Sequence, residues 1–193
     1  MNPRRRLIFK EPSKMALGDI SVEKDWLLWA RRPGDPANQV PFELEYRSEE
    51  EDVTVIYVDD PIAECSYAHV SGRDMANACE VIRGKIPVWT DKELLNDWDE
   101  APHDSAQIAA ILRIGVGAPS EYDEGFAERL RAALARSDPA VREAALAAIG
   151  YTEWPEFDEA LVEILESDPD ERCRKRAAHM LEVRESERDV RRS

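Results

Sequence analysis

The spacing of hydrophobic positions changes character about halfway along the chain. In the first half Phe42, Leu44 and Tyr46 alternate with Glu43, Glu45 and Arg47, the period-2 pattern of a strand buried on one face. Four runs rich in Val, Tyr, Trp and Ile, at 25–32, 40–47, 53–60 and 64–71, read as strands separated by "RPGDPANQ", "SEEED" and "DDPIA". Connections this short favour an antiparallel meander. The first run has a second reading, in which "DWLLW" ends a helix that begins near Ser21. After Gly72, the residues Met75, Ala78, Cys79 and Ile82 fall at i, i+3, i+4 and i+7. They predict a helix over 73–86 with one apolar face to lay across the sheet. A shorter helix is predicted over 90–101, with Thr90 as N-cap and Glu93 completing a capping box.

The second half is helical and repeats itself. Phe126, Leu130, Ala133 and Leu134 recur 31 residues later as Phe157, Leu161, Ile164 and Leu165. Val141, Ala145, Ala148 and Ile149 recur 32 residues later as Cys173, Ala177, Met180 and Leu181. Each unit is a helix, a short "SDP" turn and a second helix, and "DSAQIAAILRIG" (104–115) reads as an earlier second helix. In one alignment Arg113 falls where that helix wants an apolar residue. A paired-helix period near 30 residues is a solenoid signature, because one pair cannot cover its own apolar face and neighbours must stack. About two and a half pairs are expected, the first docking on the sheet. The domain reading is a small sheet domain at 1–101, helical repeats at 102–186 and a charged tail at 187–193.

The stretch "SDPAVREAALAAIG" (137–150) resembles a HEAT repeat through Asp138-Pro139, Val141-Arg142, the small residues up to Ala148, and Ile149-Gly150. Asp168-Pro169, Cys173-Arg174, Ala177-Ala178 and Leu181 match in part, departing at Cys173 and in having no Gly after Leu181. That departure suits a terminal repeat. The resemblance covers roughly 104–185, and the chain as a whole is similar to bacterial HEAT-repeat proteins with a small leading sheet. It implies an α+β fold, an N-terminal antiparallel meander followed by a short α-solenoid, and a curved stack whose inner face holds a protein partner. Some HEAT-like proteins are enzymes, among them a DNA glycosylase group and chromophore lyases. No residue pattern here matches either chemistry.

Composition narrows the partner. Of 193 residues, 41 are acidic and 26 are Lys or Arg, a net charge of −15. Gripping a phosphate backbone requires a neutralising cationic surface, so nucleic acid is a poor fit and a basic protein a better one. Ten acidic residues and no Lys or Arg lie between Glu143 and Glu171; Arg172, Arg174, Lys175, Arg176, Arg184, Arg188, Arg191 and Arg192 follow. Cys65, Cys79 and Cys173 form no disulfide framework and suit a reducing cytoplasm. Behind Arg4–Arg6 no apolar run reaches the ~7 residues of a secretory signal, and none approaches the ~18 of a membrane span.

The candidate binding residues are Arg113, Arg142 and Arg174, together with Glu156, Glu159 and Glu163. The structural alternative for Arg142 and Arg174 is an i,i+4 ion pair to Asp138 and Asp170. For the acids it is a solvated face packed beside the basic last helix. Trp154 is expected to pack in the core, and Trp98 and Tyr122 to form an aromatic patch at the junction. On a strand Cys65 and His69 would be ~13 Å apart at ~3.3 Å per residue, too far to share a metal. Asp59, Asp60 and Glu64 are the one candidate acid–base cluster, read in preference as an acidic turn before Pro61. No catalytic residue, metal or other cofactor is expected. The expected function is non-catalytic protein binding, as an adaptor, regulator or inhibitor, including an immunity-type inhibitor of a toxin. The alternatives are a HEAT-like glycosylase or lyase and a self-associating module that dimerises through helix 171–185.

Overall fold

The computed structural model describes residues 4–192, with the side chains of Arg4, Glu187, Asp189, Val190, Arg191 and Arg192 outside what is described. The chain folds as an antiparallel sheet followed by three stacked helix pairs. The four expected strands are β2 (Leu27–Arg32), β3 (Phe42–Arg47), β4 (Thr54–Asp60) and β5 (Cys65–Ser71), joined as a meander. A fifth strand, β1 (Arg4–Ile8), pairs antiparallel with β5 from Arg4↔Ser71 to Ile8↔Tyr67. The sheet order is therefore β1-β5-β4-β3-β2. Three consecutive arginines hide this strand in the sequence. In the fold Arg6 donates to the Tyr151 carbonyl at 3.0 Å and stacks over the Tyr151 ring, so it bridges to the helices.

Period 2 gives the sheet two buried faces. Phe9, Tyr46, Val55, Tyr57 and Val70 face α1 (Lys14–Glu23) and α2 (Met75–Lys85), packing with Leu17, Ile20, Ala78, Cys79 and Ile82. Each large aliphatic or phenylalanine side chain among them contributes roughly 1.5–3 kcal/mol on burial. Helix α1 has no counterpart in the sequence reading; "DWLLW" is strand, and the helix before it ends at Glu23. Its Ser, Gly and Asp residues are weak helix formers, and Ser13 makes no side-chain cap. Packing of Leu17 and Ile20, not propensity, holds it helical.

The other sheet face, through Ile8, Val58 and Tyr67, joins the core of the helical part. That part comprises α3 (Asp91–Asp99), α4 (Asp104–Gly117), α5 (Glu124–Leu134), α6 (Pro139–Thr152), α7 (Asp158–Ser167) and α8 (Glu171–Arg192). Thr90 and Glu93 form the expected capping box on α3. Leu94 and Trp98 of α3 lie in the helical core, and α3 packs on α4 and α5. The pairs are thus α3/α4, α5/α6 and α7/α8. Helix α8 continues to Arg192.

Within the stack α4 packs on α6, and α6 on α8. Helix α6 is the Ala-rich stretch, and Val141, Ala144, Ala145, Leu146, Ala147, Ala148 and Ile149 are all buried. Small side chains let it be covered on several sides at once. A Cβ on Gly115 of α4 would fall 2.5 Å from both the Cα and the carbonyl oxygen of Ala148.

Candidate protein-binding surface

A groove of about 580 Å³ opens between α5 and α7. Arg131, Leu134 and Arg136 form one wall, Ala160, Glu163 and Ile164 the other, and Arg142 with Asp168 line its base. The Asp138-Pro139 start places Arg142 one turn into α6, its side chain 9% exposed and that of Asp168 2%. Arg142 Nε and Nη2 donate to the two carboxylate oxygens of Asp168, both at 2.8 Å, and Nη1 donates to the carbonyls of Arg136 and Ser137, both at 2.9 Å. One guanidinium thereby ties its own turn to the turn of the next repeat. The Arg142 donors, helped by the Asp170 backbone N–H, hold the Asp168 carboxyl below its usual range against the opposing effect of burial.

This arrangement replaces the expected i,i+4 pairs. Asp138 Oδ1 accepts from the Ala140 N–H at 2.8 Å, and Asp170 Oδ1 from the Arg172 N–H at 2.9 Å. Each acid caps its own helix, which leaves the longer arginines free to reach across. Arg174 donates to the Asp168 carbonyl at 2.5 Å. Arg113 donates to Asp97 from Nε at 3.1 Å and from Nη2 at 2.5 Å, and its guanidinium lies 5.2 Å from the Trp89 ring centre. The three candidate arginines therefore connect elements of the stack, and Arg142 is too buried to meet a partner.

The candidate acids sit differently. Glu156, Glu159 and Glu163 are exposed on the 3₁₀ turn Pro155–Phe157 and on α7, alongside Glu166, Val162 and Leu165. The basic helix α8 neutralises other acids. Arg184 pairs with Asp158 at 2.5 Å, joined by Arg188; Lys175 pairs with Glu171 at 2.7 Å; and Arg172 lies 3.6 Å from Glu143. Among the described residues Glu156, Glu159, Glu163 and Glu166 have no cationic partner. The acid–base packing expected between the last two helices is real for Asp158 and incomplete for the rest of α7.

Within the Asp59/Asp60/Glu64 cluster, Asp60 links the two halves of the molecule. Asp60 Oδ1 accepts from the Ile62 and Ala63 N–H groups at 2.8 and 3.1 Å, and Oδ2 from the Tyr151 hydroxyl at 2.8 Å. Burial, then the Asp60 charge, pushes the Tyr151 hydroxyl well above its ordinary value, and the same two causes push the Cys65 thiol up to about 12. Tyr151 therefore acts as a fixed donor and Cys65 as a neutral thiol. Tyr151→Phe is expected to lower stability by about 1.5–3 kcal/mol, as the loss of a hydrogen bond to a charged acceptor does. Urea unfolding would measure it; an unchanged midpoint would show that this bond does not couple sheet and helices. The sequence reading missed Tyr151, whose hydroxyl finds a partner 91 residues away.

Trp154 is core, 2% exposed and stacked on Phe157. The expected patch of Trp98 and Tyr122 does not form: Trp98 is buried and Tyr122 packs on Trp154 at 5.2 Å. Among the described residues no three His, Cys, Asp or Glu side chains converge as metal ligands, and no helix is long and apolar enough to cross a membrane.

No curated protein and no solved structure matches the chain. A family model for HEAT repeats matches residues 92–182, from the first turn of α3 into α8. Three helix pairs stacked through Gly115, Ala148 and the Arg142–Asp168 bridge make the helical part of this chain a HEAT-like solenoid, in agreement with the family match over residues 92–182.

Proposed function

We propose that this chain is a non-catalytic binding module that engages a basic protein partner through the exposed side of α7. HEAT-repeat stacks typically serve as protein-interaction surfaces. The observation that carries the reading is the set of unneutralised carboxylates Glu156, Glu159, Glu163 and Glu166 interleaved with exposed Val162 and Leu165. Apolar side chains supply contact area, and the uncompensated acids select a cationic surface and steer its approach. The groove beside them adds depth, with Arg131 and Arg136 on its far wall. An adaptor, regulator or inhibitor role follows from such a surface, and three free cysteines support a reducing, cytoplasmic setting.

The test is quantitative affinity capture with the full chain at low and high salt, comparing wild type with Glu159→Lys/Glu163→Lys. A basic protein is expected to be captured at low salt, to fall off as salt rises, and to be lost at least tenfold from the reversed surface. Equal capture of the same proteins by both chains would overturn the assignment to α7.

A further inference from the structure

The far edge of the sheet carries a feature that protein binding at α7 does not use. Among the described residues strand β2 pairs with β3 on one side only. Along this open edge and the neighbouring α1, Met15, Val22, Leu27, Leu28 and Trp29 are between 57% and 79% exposed. These side chains lie on both faces of the sheet. Leu28 pairs with Tyr46 and so shares the α1 face, where a groove of about 680 Å³ runs between α1 and β2. Leu27 pairs with Arg47 on the opposite face, and Trp29 stacks under the Arg47 guanidinium at 4.4 Å. A docked helix covers one face of an edge; an added strand continues both and also takes up the open backbone groups.

Charge identifies the strand. The α1 groove contains one cation, Lys14, which rests over the Phe42 ring, and two acids, Asp19 and Asp25, both exposed and without a cationic partner among the described residues. Arg31, on the same sheet face opposite Leu44, is exposed and rests over the Phe42 ring, with no carboxylate partner among the described residues. The edge thus wants a strand that is apolar at one end and basic at the other. Its own sequence, "LLWARR", is such a strand. Laid antiparallel about a two-fold axis between Trp29 and Ala30, two copies set Arg31 of each beside Leu28 of the other, at the acid-lined groove. The contact is then made twice, as an isologous interface requires. The register irregularity at Trp29 bends the edge.

We infer that the chain forms a two-fold dimer by antiparallel pairing of β2 edges, with Arg31 of each copy meeting Asp19 and Asp25 of the other. The test is sedimentation equilibrium of the full chain across roughly 1–200 µM, with Leu28→Lys, Arg31→Glu and the exchange Arg31→Glu/Asp19→Lys. All three positions are exposed, and thermal melts confirm that each variant is folded. A monomer–dimer equilibrium is expected, weakened at least tenfold by Leu28→Lys and by Arg31→Glu. The exchange variant is expected to recover most of the loss. A single-chain mass throughout the range overturns the proposal and leaves the edge to a foreign strand. A dimer indifferent to Leu28→Lys and Arg31→Glu also overturns it, because the contact then lies elsewhere.

Discussion

Gly115→Ala is expected to destabilise the protein by about 2–3 kcal/mol, although alanine is the better helix former. Two effects oppose each other. In a free helix the substitution stabilises by roughly 1 kcal/mol. Here the added Cβ lands 2.5 Å from backbone atoms of Ala148. Backbone cannot rotate away, so α4 and α6 must separate and the packing between them is lost; overpacking of this kind typically costs about 1–3 kcal/mol, occasionally more. Gly150 supplies the control, since a Cβ there meets nothing within 4 Å. Gly150→Ala is expected to gain about 0.5–1 kcal/mol. Thermal unfolding should give opposite signs, with Gly115→Ala melting ~4–12 °C lower at ~2–4 °C per kcal/mol. Equal behaviour of the two variants would remove the close α4–α6 approach as a determinant of the stack.

Arg142→Ala is expected to cost about 3 kcal/mol, because it strands the Asp168 carboxylate beneath the groove and frees the Arg136 and Ser137 carbonyls. Arg142→Lys keeps the charge but lacks the fork that spans both carboxylate oxygens, so an intermediate loss is expected. The pH dependence has a definite sign. The Asp168 carboxyl is held below its ordinary value, near ~3.9 in an unfolded chain. The pair therefore contributes fully above that pH, and its contribution disappears as pH falls through the lower folded value. Urea titrations should show a constant gap between wild type and Arg142→Ala from pH 8 to about 5, narrowing below about pH 4. A gap that widens in acid would mean that Asp168 is not stabilised by Arg142.

The two predictions differ in how far the sequence foretells them. The recurrence of Val141, Ala145, Ala148 and Ile149 as Cys173, Ala177, Met180 and Leu181 reveals the repeat, because stacked helices must present the same apolar stripe each time. Arg142 stands out in that repeat as the one cation in a helix of small residues. Its partner does not: proximity along the chain suggests Asp138, and the fold supplies Asp168, 26 residues on. Gly115 carries no local mark, since what it approaches belongs to another helix.

The acids of residues 156–166 were legible as a charged surface, because no Lys or Arg lies between Glu143 and Glu171. That α8 leaves four of them without a cation was not, because ion pairing depends on which arginines reach Asp158 and which turn to Glu143.

Periodicity by itself determined the change from sheet to paired helices, the meander β2 to β5, and the helix starts at Thr90 and Asp138, all properties of residues within a turn or two of each other. Only the tertiary structure decided the fifth strand, helix α1, the membership of α3 in the repeats and the open β2 edge. Strand β1 is held by β5 some sixty residues away, and α1 by apolar packing on the sheet. Their stability comes from surfaces that local sequence does not contain.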